Sequence, residues 1–162
     1  MKTLNTLVAV AALILSASAA HAHVTLEYQV APANSYYKAT FKVGHGCSGS
    51  ATRQIVVQLP EGVPQARPMP KAGWTVAVEG TQISWTARTA ADQLPDAFYD
   101  EFALQARLPA QAGPLYWRVS QICEHGRIDW TEVPRTGQKL SDLKTPAALL
   151  DVLPAGGGGH HH

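Results

Sequence analysis

His23 has the strongest potential for chemistry in this chain, because the segment before it has the pattern of a cleaved leader. Lys2 supplies a positive charge, Leu7 to Leu15 an apolar stretch, and Ala20-His21-Ala22 a small-x-small cleavage site. This pattern is typical of a secretory signal peptide rather than a membrane span, since the apolar run is too short. Cleavage after Ala22 would give His23 a free α-amino group beside its imidazole. Such a pair can chelate a transition metal, and copper(II) is favoured because it prefers nitrogen donors in a tetragonal plane.

A second cleavage position lies two residues earlier, after Ser18-Ala19-Ala20. The mature chain would then begin His21-Ala22-His23, and an amine, two amides and the third-position imidazole could hold copper or nickel in a square plane. Both positions predict a metal at the amino terminus. We favour the cut before His23, which makes residues 1–22 the leader.

Composition limits the other classes of function. The sequence has 162 residues with 13 basic and 12 acidic side chains, and loss of the leader removes Lys2, so the mature chain is formally neutral. About 140 residues is the size of one domain. A neutral chain without basic runs argues against nucleic acid or an anionic membrane as partner. Few charges together with frequent Pro and Gly favour an all-β domain.

Cys47 and Cys123 are the two cysteines of the chain. In an exported protein the default is one disulfide, formed in an oxidising compartment such as a bacterial periplasm. The alternative is a thiolate pair for copper(I). Export disfavours this alternative, because cysteines in an oxidising compartment form disulfides. A copper(I) site is also disfavoured because only Met69 would remain after leader removal to supply a thioether.

Short alternating segments separated by turn residues predict the elements that must position these groups. The stretch from residue 63 to residue 73 reads as irregular, and Ala147 to Leu153 as a helix or a last strand. Seven to nine strands at this spacing predict an antiparallel β-sandwich of immunoglobulin-like shape over residues 23–154. The Gly/His tail of residues 155–162 is either an expression tag or a natural metal-collecting tail. The predicted strands are His23 to Val30, Tyr36 to Val43, Ile55 to Leu59, Trp74 to Val78, Gln82 to Ala87, Glu101 to Leu108, Leu115 to Cys123 and Arg127 to Val133.

Six segments in this order resemble the YcnI-like domain family of exported bacterial proteins. They are 23–27 (HVTLE), 44–47 (GHGC), 68–74 (PMPKAGW), 94–102 (LPDAFYDEF), 121–124 (QICE) and 128–130 (IDW). The resemblance covers nearly the whole mature chain. It implies an immunoglobulin-like or cupredoxin-like sandwich that binds copper(II) through the amine and imidazole of its first residue, a carboxylate and a nearby tryptophan.

This ligand set carries over onto the chain unevenly. The first-residue histidine corresponds to His23, but His45 stands where many relatives have an acid. The resemblance implies a single-histidine brace, whereas this departure from the family pattern predicts a two-histidine brace formed by His23 and His45. Glu101, at the start of a strand, is a candidate oxygen ligand. We expect one tryptophan to cap the copper, and Trp130 and Trp85 are the two candidates.

The sequence therefore predicts a periplasmic copper(II)-binding protein that buffers or hands over the ion without catalytic turnover. Its candidate partners are another copper-handling protein of the periplasm or a membrane copper transporter. Two alternatives stay open: a metal-free interaction or adhesion sandwich, and a copper monooxygenase that cleaves polysaccharides.

Overall fold

The computed structural model describes residues 23–156, and these residues form a β-sandwich. Pro and Gly at the strand ends keep the elements short, because neither residue continues a regular strand well. Two 3₁₀ turns, Ala90–Asp92 and Leu140–Asp142, are the helical segments of this part of the chain. The strands are β1 (Thr25–Leu26), β2 (Val30–Pro32), β3 (Tyr36–Val43), β4 (Thr52–Gln58), β5 (Ala66–Pro68), β6 (Trp74–Glu79), β7 (Gln82–Ala87), β8 (Asp100–Arg107), β9 (Gly113–Cys123), β10 (Arg127–Trp130) and β11 (Ala148–Leu153).

The strands form two sheets. One has the order β1-β3-β8-β5, and the other has the order β2-β11-β9-β4-β7-β6. Strand β9 is the long central strand of the second sheet: it pairs with β4 along one side, and with β11 and then β10 along the other. The pairs are antiparallel except for β2 with β11. The predicted immunoglobulin-like sandwich is confirmed.

Aromatic rings fill the space between the two sheets. Phe41 packs edge-on against Trp117 with ring centroids 5.8 Å apart, and Phe102 meets Trp85 and Trp74 at 5.9 and 5.0 Å. Edge-on packing suits the ring quadrupoles and buries large apolar areas, which is the main stabilising contribution in a domain of this size.

The first predicted strand, His23 to Val30, is wrong in one respect. The segment is two short strands in different sheets, β1 and β2, separated by Glu27 to Gln29. Alternation along a single strand would place Tyr28 on the same face as Leu26, yet Leu26 is buried and Tyr28 is 69% exposed. Alternation indicates which face a residue occupies only while the chain stays in one sheet, and here the chain changes sheets.

The prediction for residues 63–73 is wrong in part, and the alternatives left open for the carboxyl-terminal segment are decided. The stretch 63–73 was predicted to be irregular, yet Ala66–Pro68 pairs with β8 as an edge strand. An edge position tolerates Pro68 because its missing N–H is not needed for pairing on the outer side. Residues Ala148–Leu153 form a strand, so of the two alternatives for the carboxyl-terminal segment the strand is correct.

The predicted disulfide joins Cys47 to Cys123, with Cα atoms 6.0 Å apart, so neither sulfur is a free thiolate for copper(I). Among the described residues no helix has the length and apolar character needed to cross a membrane. The predicted leader 1–22 and the last part of the Gly/His tail lie outside the described residues.

Candidate metal centre

His23 and His45 extend from the same end of two paired strands. Thr25 of β1 pairs with Lys42 of β3 in an antiparallel register. His23 comes two residues before Thr25, and His45 comes three residues after Lys42. Because antiparallel neighbours run in opposite directions, His23 and His45 both lie beyond the same end of this strand pair.

Both imidazoles lie against the indole of Trp130. The ring centroid of His23 is 5.6 Å from that of Trp130, and the centroid of His45 is 6.2 Å from it, with the two planes 66° apart. Both histidines are partly exposed, whereas Trp130 is buried at the end of β10. We call these three residues the histidine–tryptophan cluster. The structure thus brings together His23, His45 and Trp130, which were selected from the sequence.

The loop that carries His45 is fixed at several points. Cys47 is tied by the disulfide to Cys123, the last residue of β9. The main-chain N–H of Gly46 donates to Oδ1 of Asp96 at 3.0 Å. A Cβ atom on Gly46 would lie 1.9 Å from the main-chain oxygen of Ser50, so only glycine fits there. The disulfide and this hydrogen bond therefore hold the backbone next to His45 in place, and Gly46 is required by the close approach of Ser50.

The tautomer of His45 follows from its neighbour. Its Nδ1 lies 2.5 Å from the main-chain oxygen of Gly46. A carbonyl oxygen can only accept, so in the neutral ring Nδ1 carries the hydrogen and Nε2 keeps the lone pair. Orientation of a histidine by a backbone carbonyl is common among metal ligands. Nε2 is therefore the atom of His45 that could bind a metal.

Glu101 lies outside the histidine–tryptophan cluster. Its carboxylate accepts a hydrogen bond from the hydroxyl of Tyr99 on the exposed surface of the first sheet. Desolvation, together with this hydrogen bond and the nearby charges of Glu101, Glu27 and Asp100, raises the pKa of Tyr99 to about 12. The structure gives Glu101 a phenol as partner and does not group it with the two histidines.

Trp85 is also separate from the cluster. Its side chain is fully buried, packs against Phe102 and donates from Nε1 to the main-chain oxygen of Met69 at 2.9 Å. In the described part of the chain its ring contacts are in the core. Trp130 is thus the one of the two selected tryptophans that meets the histidines.

Residues 23–156 contain no group of three or more His, Cys, Asp or Glu side chains that could hold a metal ion. The two imidazoles of the cluster would need a third donor of another kind. Cleavage before His23 would supply this third donor, because the main-chain nitrogen of His23 would change from an amide to a free α-amino group. Two imidazoles and an amine are a donor set that suits copper(II) and lacks the soft sulfur that copper(I) prefers.

Comparison with protein families assigns most of the chain. Residues 23–83 and 78–152 match the family described as "Domain of unknown function (DUF1775)", which is the family of YcnI-like proteins. The chain belongs to this family. The resemblance found in the six sequence segments is therefore confirmed at the level of the family. No curated protein matches the chain in sequence.

Solved structures agree on the fold of this family member. An uncharacterised protein from Nocardia farcinica with an immunoglobulin-like fold superimposes with a TM-score of 0.69 at 24% identity, over 80% of this chain and 97% of that one. The Reelin-N domain of F-spondin superimposes with a TM-score of 0.52 at 9% identity, over 81% and 85%. At these identities the likeness shows the fold alone.

Sequence reasoning missed Gln121 and Thr52, which lie beneath the cluster in this family member. Gln121 accepts from Nε1 of Trp130 at 3.0 Å and donates to the main-chain oxygen of His45 at 2.6 Å and to Thr52 Oγ1 at 2.8 Å. The signal was available: on β9 the inward positions run Trp117, Val119, Gln121 and Cys123, so Gln121 is a polar residue in an apolar series.

Proposed function

We propose that this protein is an exported copper(II)-binding protein of the periplasm that buffers the ion or hands it to a partner. The observation that supports this most is that His23 and His45, from two different segments, lie against one indole. The proposed ligands are the α-amine and imidazole of a processed His23 and Nε2 of His45.

The position of the site suits exchange rather than storage. His23 and His45 are partly exposed at one end of the sandwich, and Trp130 closes the inner side of the cluster. A partly exposed ion at a chain end can be reached by a second protein. The proposed partner is therefore another periplasmic copper-handling protein or a membrane copper transporter, and we propose no catalytic turnover. Cleavage of a polysaccharide with oxygen and a reductant would contradict that part.

Glu101 is not needed as a ligand in this proposal. Its carboxylate is engaged by Tyr99, and the third donor is the amine. The proposed centre is thus a two-histidine brace in which His45 takes the place of the acid implied by the resemblance.

Copper(II) titration in competition with a chelator tests the proposal on the chain beginning at His23, with His160, His161 and His162 replaced by alanine. One equivalent of copper should bind tightly, and His23→Ala should weaken the binding strongly. His125→Ala is the matched control, because His125 is exposed and its main-chain N–H makes the hydrogen bond to Ser50. Absence of tight binding in the parent chain would overturn the proposal.

The second candidate is a metal-free interaction or adhesion module, favoured by exposed aromatic side chains. Tyr28, Phe98 and Tyr99 are 69, 62 and 55% exposed. Aromatic residues are enriched where proteins meet. For such a module the identity of the first residue is irrelevant, so failure to bind copper together with unchanged behaviour of His23→Ala would favour it.

A further inference from the structure

Gln121 is a buried polar side chain in an apolar environment. It is 1% exposed on the central strand β9, between Val119 and Cys123 on the same inward face. Burial of an amide is unfavourable unless its hydrogen-bonding groups are paired. An apolar side chain could fill this buried position without needing hydrogen-bond partners, so packing alone does not explain why the residue is an amide.

The hydrogen bonds of Gln121 determine its orientation. The indole N–H of Trp130 can only donate, so the atom facing it must be the carbonyl oxygen Oε1. The amide nitrogen Nε2 then faces the main-chain oxygen of His45, which can only accept, and the hydroxyl of Thr52. Rotating the amide by 180° would set donor against donor at Trp130. One planar group therefore links the indole to the loop histidine in a single arrangement.

We propose that Gln121 is a positioning residue that fixes His45 relative to Trp130 and thereby sets the geometry of the copper(II) ion, a role that rests on the function proposed above. Gln121 does not bind the ion. It acts through two groups: the indole against which both imidazoles lie, and the backbone of the residue that supplies Nε2. Strand β9 holds Gln121 firmly, because Gln121 pairs with Ile128 on one side and with Ile55 on the other.

Thr52 completes the arrangement from the next strand. Its hydroxyl accepts from Gln121 and lies 3.8 Å from the sulfur of Cys123. Thr52 is fully buried, so its hydroxyl is shielded from solvent. Loss of this hydroxyl would leave one hydrogen of the Gln121 amide unpaired and loosen its orientation without changing His45 or Trp130.

The test compares Gln121→Met with Gln54→Met in the chain beginning at His23. Methionine keeps the length of the side chain and removes the amide. Gln54 is the matched control, because it lies on the adjacent strand and donates one side-chain hydrogen bond, to Thr86. Copper(II) affinity and the electron paramagnetic resonance spectrum are measured for both, with NMR of the metal-free proteins recording the Trp130 indole N–H and the His45 ring.

Gln121→Met should lower copper affinity by about 10- to 100-fold, the usual effect of losing a group that orients a metal ligand. It should also change the nitrogen coupling and shift the Trp130 and His45 resonances, whereas Gln54→Met changes none of these. If Gln121→Met fails to fold, Thr52→Val should give the same direction of change and Thr52→Ser should restore the parent spectrum.

A Gln121→Met protein with the parent affinity, spectrum and His45 resonances would overturn the proposal, even if its melting temperature falls. Failure of the proposed function has a different signature. In that case the parent chain itself binds no copper, and the metal-free NMR comparison alone decides whether Gln121 positions His45: shifted resonances support that role, and unchanged ones reject it.

Discussion

The imidazole of His45 lies edge-on to the indole of Trp130, with ring centroids 6.2 Å apart and planes inclined by 66°. The two residues are far apart in sequence, one in the loop after β3 and the other at the end of β10 in the opposite sheet. The disulfide beside His45 and the amide of Gln121 connect these two parts of the sandwich. The candidate site therefore depends on the closed sandwich and not on a local motif.

Replacing His45 with alanine tests whether the centre has one histidine or two. We expect His45→Ala to retain copper through His23 but to lose one nitrogen from its coordination, because Nε2 of His45 is the second imidazole donor. Electron paramagnetic resonance should show altered nitrogen coupling, with His125→Ala keeping the parent spectrum. A spectrum of His45→Ala identical to the parent would exclude His45 as a ligand.

Trp130 should stabilise the fold through its N–H as well as through its ring. Trp130→Phe leaves Oε1 of Gln121 without its donor in a buried position, which costs about 1–3 kcal/mol in addition to the lost ring volume. Trp117→Phe is the matched comparison, because Nε1 of Trp117 is buried with no hydrogen-bond partner in the described structure. Urea unfolding should show the larger loss for Trp130→Phe, and an equal or smaller loss would contradict this account.

The disulfide should contribute strongly to stability. Cys47 and Cys123 are separated by 76 positions, and closing a loop of that length is worth about 4–5 kcal/mol in the chain-entropy model. The double variant Cys47→Ala/Cys123→Ala should lose much of its free energy of unfolding, measured by urea titration. The same loss should appear in the parent chain under a reductant strong enough to open the bond, and two unchanged unfolding curves would refute the prediction.

Asp129 should give a small, acid-sensitive contribution. Hydrogen bonds from Arg127 and Ser120 lower the pKa of its carboxyl below the ordinary value of an aspartate. The folded pKa is thus depressed, so the stabilisation is complete above the ordinary value and is lost as the pH falls through the folded pKa. Because the Arg127–Asp129 pair is exposed, we expect it to contribute less than about 1 kcal/mol to the free energy of unfolding.

Thermal melting of the parent chain and of Asp129→Asn over a pH series checks this. The two melting temperatures should differ slightly at neutral pH and converge in acid below the ordinary carboxyl range. A difference that grows as the pH falls would have the wrong sign.

Sequence patterns were sufficient where the chain stays in one sheet. Tyr36 to Val43 was predicted and is β3, because its alternation is uninterrupted and its ends are marked by turn residues. They failed at His23 to Val30, where the chain leaves one sheet for the other after Leu26. A change of sheet is decided by long-range pairing, which local alternation does not record.

Some residues of the candidate site could be predicted from the sequence and others could not. His23 and His45 could be selected from their residue type and the resemblance, and Trp130 was one of two tryptophans selected with them. Glu101 and Trp85 were chosen on the same grounds but lie elsewhere, since nothing in their local sequence indicates their neighbours in space. Gln121 was missed although its inward position on β9 could have been read from the alternation.

The central claim is that copper(II) is bound by His23 as the first residue of the mature chain. The most direct measurement is copper(II) electron paramagnetic resonance on two chains that differ only at the start, one beginning at His23 and one retaining Ala22, both without the histidines of the tail. We predict a stoichiometric tetragonal signal with nitrogen coupling in the first chain, and in the second a weaker signal with different coupling, because an amide replaces the amine. Identical spectra from the two chains would contradict the claim.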